Sequence, residues 1–158
     1  MARRRSPPTV APGSILRHLD AEEVELYLSK WLQAYGANRH GVNAKAYIWH
    51  IFSAERYPAL DGSDALAEYS RHNAPEYVVF SNTRDEAFET DVRPESSSLS
   101  DFLVFPRNLA WTMAFTHEDG WLGPYFAKNK SYAILEAENE RRLKKAVEAA
   151  NAKTKGWV

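Results

Sequence analysis

Any chemistry in this chain would have to start from two histidines. His50 lies in YIWHIFS and His117 in AFTHEDG, each in an aromatic setting, with Glu118 directly after the second. Brought together, they would form an acid/base pair or part of a metal site. A proton-transferring pair must meet at hydrogen-bond distance, and a zinc site needs three or more ligands. The sequence has no HExxH and no third ligand at a telling spacing. Ser53 could serve as a nucleophile only beside a base and an oxyanion hole, and nothing marks either. The weightier reading is structural: His117 ends a strand, Glu118 and Asp119 shape a turn, His50 is a satisfied core or boundary histidine, and Ser53 closes a helix. No nucleophile elbow, phosphate loop or metal cluster is present. No metal and no cofactor is expected, and a binding protein is favoured over an enzyme.

Charge points to a different kind of function. The 158 residues carry a net charge of −1, unevenly spread. Residues 1–19 hold Arg3, Arg4, Arg5 and Arg17 with no acid, and residues 128–158 hold eight Lys/Arg against four Glu. Residues 20–127 hold eight Lys/Arg against seventeen Asp/Glu, a net −9. A body of that sign attracts a basic protein surface and repels nucleic acid, with simple solubility as the competing account. The aromatic residues Trp49, Trp111, Trp121, Tyr125 and Phe126 are accordingly expected in the core. A base-stacking platform would pair them with a positive groove. Nucleic-acid contact is expected only through the basic termini.

The stretch 82–100, NTRDEAFETDVRPESSSLS, reads as a long loop in which Asp85, Glu86, Glu89, Asp91 and Glu95 outnumber Arg84 and Arg93. Long loops in small domains are commonly functional, so these five acids form the candidate partner-binding element. The chain has no cysteine and no uninterrupted apolar run of membrane-spanning length. Nor does a signal-peptide-like run follow MARRRSPPTVAPGS, so a cytoplasmic protein without membrane contact is expected.

The elements that must position these residues centre on a β-hairpin over Leu109 to Ala127. Leu109, Trp111, Met113 and Phe115 alternate with Ala110, Thr112, Ala114 and Thr116, the period of a strand with one large apolar face. His117 to Gly120 supply the turn, and Trp121, Leu122, Tyr125 and Phe126 return. Pro124 cannot donate to a ladder, which makes the returning strand short or places it at an edge. Upstream, Asp20 and Glu23 form a capping box for a helix whose stripe is Val24, Tyr27, Leu28, Trp31, Leu32 and Tyr35, ending at Gly36. Asn43 to Phe52 fits a helix better than a strand, Ser63 caps a shorter helix over Asp64 to His72, and Glu76 to Ser81 and Asp101 to Phe105 are strands. A short strand within Ala87 to Val92 is also allowed.

From Ser131 to about Ala152 the sequence is charged and strongly helix-forming, with Glu138–Arg142 and Glu140–Lys144 pairs. The expected fold is therefore α+β: an antiparallel sheet of four or five strands, covered on one face by the N-terminal helices, with a C-terminal helix. The expected divisions are a disordered basic, Pro-rich arm (1–14), one α+β domain (15–127), and a charged helix and tail (128–158).

In the order Trp49-His50-Ile51-Phe52-Ser53, Trp111-Thr112, Thr116-His117-Glu118 and Gly123-Pro124-Tyr125-Phe126, the chain resembles an uncharacterised bacterial domain-of-unknown-function family. The resemblance covers roughly residues 20–127 and implies a small α+β fold. It carries no activity to transfer. By analogy, small acidic domains of this look also resemble immunity proteins that neutralise toxin domains. The reading that emerges is a non-enzymatic protein that captures a basic partner through an acidic surface, immunity- or antitoxin-like by that analogy alone. The alternatives are a small enzyme or metal-dependent protein using His50, His117 and Glu118, and a nucleic-acid-associated protein acting through its basic termini.

Overall fold

The computed structural model describes residues 7–118 and 121–156. The expectations placed on Arg3 to Arg5 and on the Asp119-Gly120 turn lie outside the described residues. In chain order the elements are β1 (Val10–Ala11), β2 (Ile15–His18), α1 (Ala21–Tyr35), α2 (His50–Ser53), β3 (Leu60–Asp61), α3 (Gly62–Ser70), β4 (Tyr77–Ser81), β5 (Ala87–Thr90), β6 (Ser96–Ser97), β7 (Phe102–Phe105), β8 (Trp111–Phe115), β9 (Tyr125–Lys128) and α4 (Tyr132–Thr154).

The α+β class and the antiparallel sheet are as expected, but the sheet is larger. Seven strands run in the order β2-β5-β4-β7-β8-β9-β3, and β1 pairs separately with β6. The extra strands are the short β2 and β3 at the two edges, and β5 is the short strand allowed within Ala87 to Val92 of the stretch otherwise expected as a loop. β5 forms because Ala87 to Thr90 pair on one side with Tyr77 to Phe80 and on the other with β2, so the segment is buried.

A second difference concerns coverage: helices pack on both faces. Along β4, Val78 and Phe80 join a cluster with Trp31, Tyr35, Trp49 and Phe52, whereas Tyr77 and Val79 join one with Ala65, Tyr69 and Trp111. β7 alternates likewise, with Leu103 and Phe105 on the α1 side and Phe102 and Val104 on the α3 side. Strands buried on both faces show apolar runs such as YVVF and FLVF instead of an apolar–polar alternation. The N-terminal part of α4 completes the second layer, where Tyr132 and Leu135 pack on that cluster. Arg142 reaches across to Glu76 at 2.8 Å, not along the helix to Glu138.

Local signals explain the boundaries. Asp20 accepts from Glu23 N at 2.8 Å and Glu23 returns to Asp20 N at 3.2 Å, the full capping box of α1. Helix α3 begins at Gly62, before Ser63. The expected 43–52 helix shrinks to the single turn α2, because Asn82 takes over the backbone before it. Asn82 Oδ1 accepts from Ile48 N (2.9 Å) and its amide donates to Ala46 O (2.9 Å). Hairpin β8–β9 is present, but it starts at Trp111. Leu109 has φ 58° and gives its carbonyl to Tyr35 Oη (2.8 Å) and Asn129 Nδ2 (3.0 Å), a turn held by side chains. Of the 1–14 segment, residues 7–14 include β1, whose neighbour Thr9 accepts from Ser98 N. Among the described residues no helix is long and apolar enough to cross a membrane.

Candidate functional site

Register places one set of polar residues at one end of the sheet. Ser81 opposes Phe102 and Phe102 opposes Phe115, so the residues after β4, before β7 and after β8 share that end. The β4–β5 turn contributes Asp85 and Glu86, the β7 entry contributes Asp101, and the β8 exit contributes His117 and Glu118. Asn82 ties the 43–49 segment to the same end, which brings Tyr47, Trp49 and His50.

Asp101 is the centre of this group. Its side chain is only 3 % exposed and accepts three bonds: from Trp49 Nε1 (2.7 Å), from His117 Nδ1 (3.0 Å) and from His117 N (3.3 Å). A carboxylate facing Nδ1 fixes the proton there and leaves Nε2 outward. Glu118 Oε1 lies 3.6 Å from that Nε2. The hydrogen bond that Nδ1 donates to Asp101 is the main reason that the His117 imidazole binds its proton more tightly than an ordinary histidine, opposed by partial desolvation and assisted by the charges of Asp101 and Glu118.

His50 and His117 are neighbours of the same rings but do not form a pair. Tyr47 packs between them, its ring centroid 5.8 Å from His50 and 4.7 Å from His117, and Trp49 lies 4.4 Å and 6.2 Å from the same two. Ser53 Oγ lies 3.2 Å from His50 Nδ1 and donates to the His50 carbonyl, which closes α2. A nucleophilic triad needs one histidine joined to both the hydroxyl and the carboxylate. Here Ser53 joins His50 and Asp101 joins His117. Among the described residues no group of three His, Asp or Glu side chains could hold a metal ion.

The five acids of the 82–100 segment divide. Asp85 is exposed, accepting from Thr83 Oγ1, and Glu86 is half-buried at the same end as His117. Glu89, expected at the surface, is instead 2 % exposed. Its place in β5 turns it inward, where it receives a two-pronged bond from Arg107 (2.9 and 2.8 Å) and a longer one from Arg17. The Arg107 bonds, more than any other cause, hold its carboxyl below the usual range. Asp91, past the far end of β5, is exposed and accepts from Ser14 N. Glu95 is exposed on the α3 side. The two arginines of the segment turn inward: Arg84 donates to the Ala44 carbonyl, and Arg93 to His72 O and Asn73 Oδ1. The outward charge of the segment is therefore more negative than its composition.

Three residues sit where the sequence does not place them. Asp101 looked like the first residue of a strand, and only the pairing of β7 with β8 brings it to His117. Trp121, expected in the core, is 86 % exposed on the β8–β9 connection, while Trp31, Trp49 and Trp111 are buried. His72 has no mark in the sequence beyond its place at a helix end. It is buried on the α3–α4 side with Nε2 2.7 Å from Tyr132 Oη and Nδ1 2.8 Å from Glu68 O.

The chain belongs to a family of domains of unknown function (DUF4275), whose model matches residues 28–126. That stretch runs from within α1 into β9 and takes in Asp101, both histidines of the site and the whole acidic segment. No curated protein and no solved structure matches the chain.

Proposed function

Starting from a member of a family without an assigned activity, we propose that this protein is a non-enzymatic binding protein that captures a basic protein partner, in the manner of an immunity or antitoxin protein. The observation that carries this reading is Trp121, whose indole stands 86 % exposed at the end of the sheet that also presents Asp85, Glu86 and Glu118. Exposed tryptophans supply a large share of binding energy at protein interfaces, and an indole beside carboxylates suits a lysine or arginine. The acids steer a basic surface toward that end and make association salt-sensitive. The test is capture on immobilised full-length protein at low salt, with Trp121→Ala and Asp85→Asn/Glu86→Gln run in parallel. A stoichiometric basic partner, released as salt rises and lost with both variants, is the expected outcome. A partner retained equally by all three proteins would refute the reading.

A second reading rests on the Asp101–His117 dyad, whose outward Nε2 could move a proton. It predicts that His117→Ala destroys a reaction while leaving partner capture intact. Unchanged function in a folded His50→Ala/His117→Ala protein would eliminate it.

A further inference from the structure

Away from the acidic end, a cavity of about 290 Å³ opens beside α3, lined by Leu66, Tyr69, Ser70, Arg93, Glu95 and Phe115. Its walls are mainly apolar. The Tyr69 ring meets Phe115 edge-on at 5.5 Å and is fixed by its hydroxyl, which donates to the Pro94 carbonyl. Leu66 stands half exposed at the rim, though it is a large aliphatic side chain on the surface of a helix.

Two opposite charges face this space without satisfying each other. The Arg93 guanidinium lies over the Tyr69 ring, 5.6 Å from its centroid. Nη1 is used on His72 O and Asn73 Oδ1, both uncharged, Nε is sealed off from solvent, and Nη2 makes no hydrogen bond among the described residues. Among the described residues no carboxylate comes within ion-pair distance of Arg93, and no cation comes within that distance of Glu95. Nη2 is the guanidinium donor left for a ligand, and a carboxylate is the acceptor that makes the strongest hydrogen bond to it.

We propose that this cavity binds a small zwitterion, an α-amino acid with a large apolar side chain. Its carboxylate pairs with Arg93, its ammonium with Glu95, and its side chain lies among Leu66, Tyr69 and Phe115. The volume falls just under the roughly 300–1,000 Å³ typical of clefts for drug-sized ligands, which suits one amino acid. The site is independent of the partner-binding end and stands or falls separately.

Calorimetry on the full chain with L-phenylalanine as probe tests it, beside hydrocinnamate, which lacks the ammonium, and phenethylamine, which lacks the carboxylate. Saturable one-to-one binding of phenylalanine is expected, with each analogue weaker by ~10-fold or more, the loss of one charged hydrogen bond. Leu66→Trp fills the mouth from an exposed position and breaks no internal bond, so it should abolish binding with an unchanged unfolding midpoint. Glu95→Gln should weaken phenylalanine and leave hydrocinnamate as it was. No saturable heat with phenylalanine at millimolar concentration, binding that survives Leu66→Trp, or phenethylamine binding as tightly as phenylalanine would each overturn the proposal.

Discussion

Replacing Asp101 with asparagine keeps the shape of the side chain and removes its charge. The carboxylate serves three donors, among them the buried Trp49 indole at 2.7 Å and His117 Nδ1 at 3.0 Å. An amide offers one acceptor oxygen and an NH₂ group that only donates, so while His117 Nδ1 carries its proton a donor faces a donor. Leaving the Trp49 N–H without an acceptor costs roughly 1–3 kcal/mol, and exchanging a charged for a neutral acceptor adds about 1 kcal/mol. The sum is about 3 kcal/mol, or a fall in Tm of roughly 6–12 °C for a chain of this length.

The pH dependence has a definite sign. Because Asp101 raises the His117 pKa above the ordinary 6.5, its stabilising effect is complete below that value and is lost as pH rises through the folded pKa. The gap between wild type and Asp101→Asn should therefore be widest on the acidic side of 6.5 and narrow toward alkaline pH. Urea unfolding across this range, with NMR titration of His117, gives the measurement. A variant within about 0.5 kcal/mol of wild type on the acidic side, or an unaltered His117 titration, would refute the reasoning.

Other substitutions probe the remaining features. Trp121→Ala, which removes an exposed ring, should change stability by less than about 0.5 kcal/mol in thermal unfolding while abolishing partner capture. Glu89→Ala should destabilise by about 1.5–3 kcal/mol in denaturant titration, below the 3–5 kcal/mol of a fully buried pair, because the half-exposed Arg107 and Arg17 regain water. Since Glu89 titrates below its ordinary 4.5 when folded, its contribution is present above that value and disappears as pH falls through the folded pKa; acid unfolding of wild type and Glu89→Ala should thus converge at low pH. Gly123 has φ 88°, and a Cβ there would lie 2.8 Å from Thr116 Cγ2. Gly123→Ala should cost roughly 1–3 kcal/mol by the same assay.

The sequence made visible those parts of the molecule whose signal is local. The capping box of α1 needs only Asp20 and Glu23, three residues apart, and the apolar stripe behind it follows the helical period. The runs in β4, β7 and β8 announce strands by composition. β2 and β3 carry no such mark: ILRH is mostly exposed and LD is two residues long, and each is a strand only because a distant segment pairs with it. The same holds for the site. Asp101 and His117 are sixteen positions apart and meet through register alone. Glu89 looks like any surface acid until β5 turns it toward Arg107. Helix propensity misled at 43–52, where two hydrogen bonds with Asn82, one accepted and one donated by its side chain, outcompete the helical ladder.

The order of strands has a consequence for how the protein comes into being. Both outer strands come early, yet their partners come late: His18 pairs with Phe88, and Leu60 with Phe126. The segment before Tyr77 holds α1, α2, α3 and both edges of the sheet but none of its interior strands. The apolar stripe of α1 has nothing to cover until β4 to β9 leave the ribosome, and closing pairs this distant slows folding. A fragment that ends before Tyr77 should therefore expose the apolar stripe of α1 and aggregate instead of forming a smaller domain.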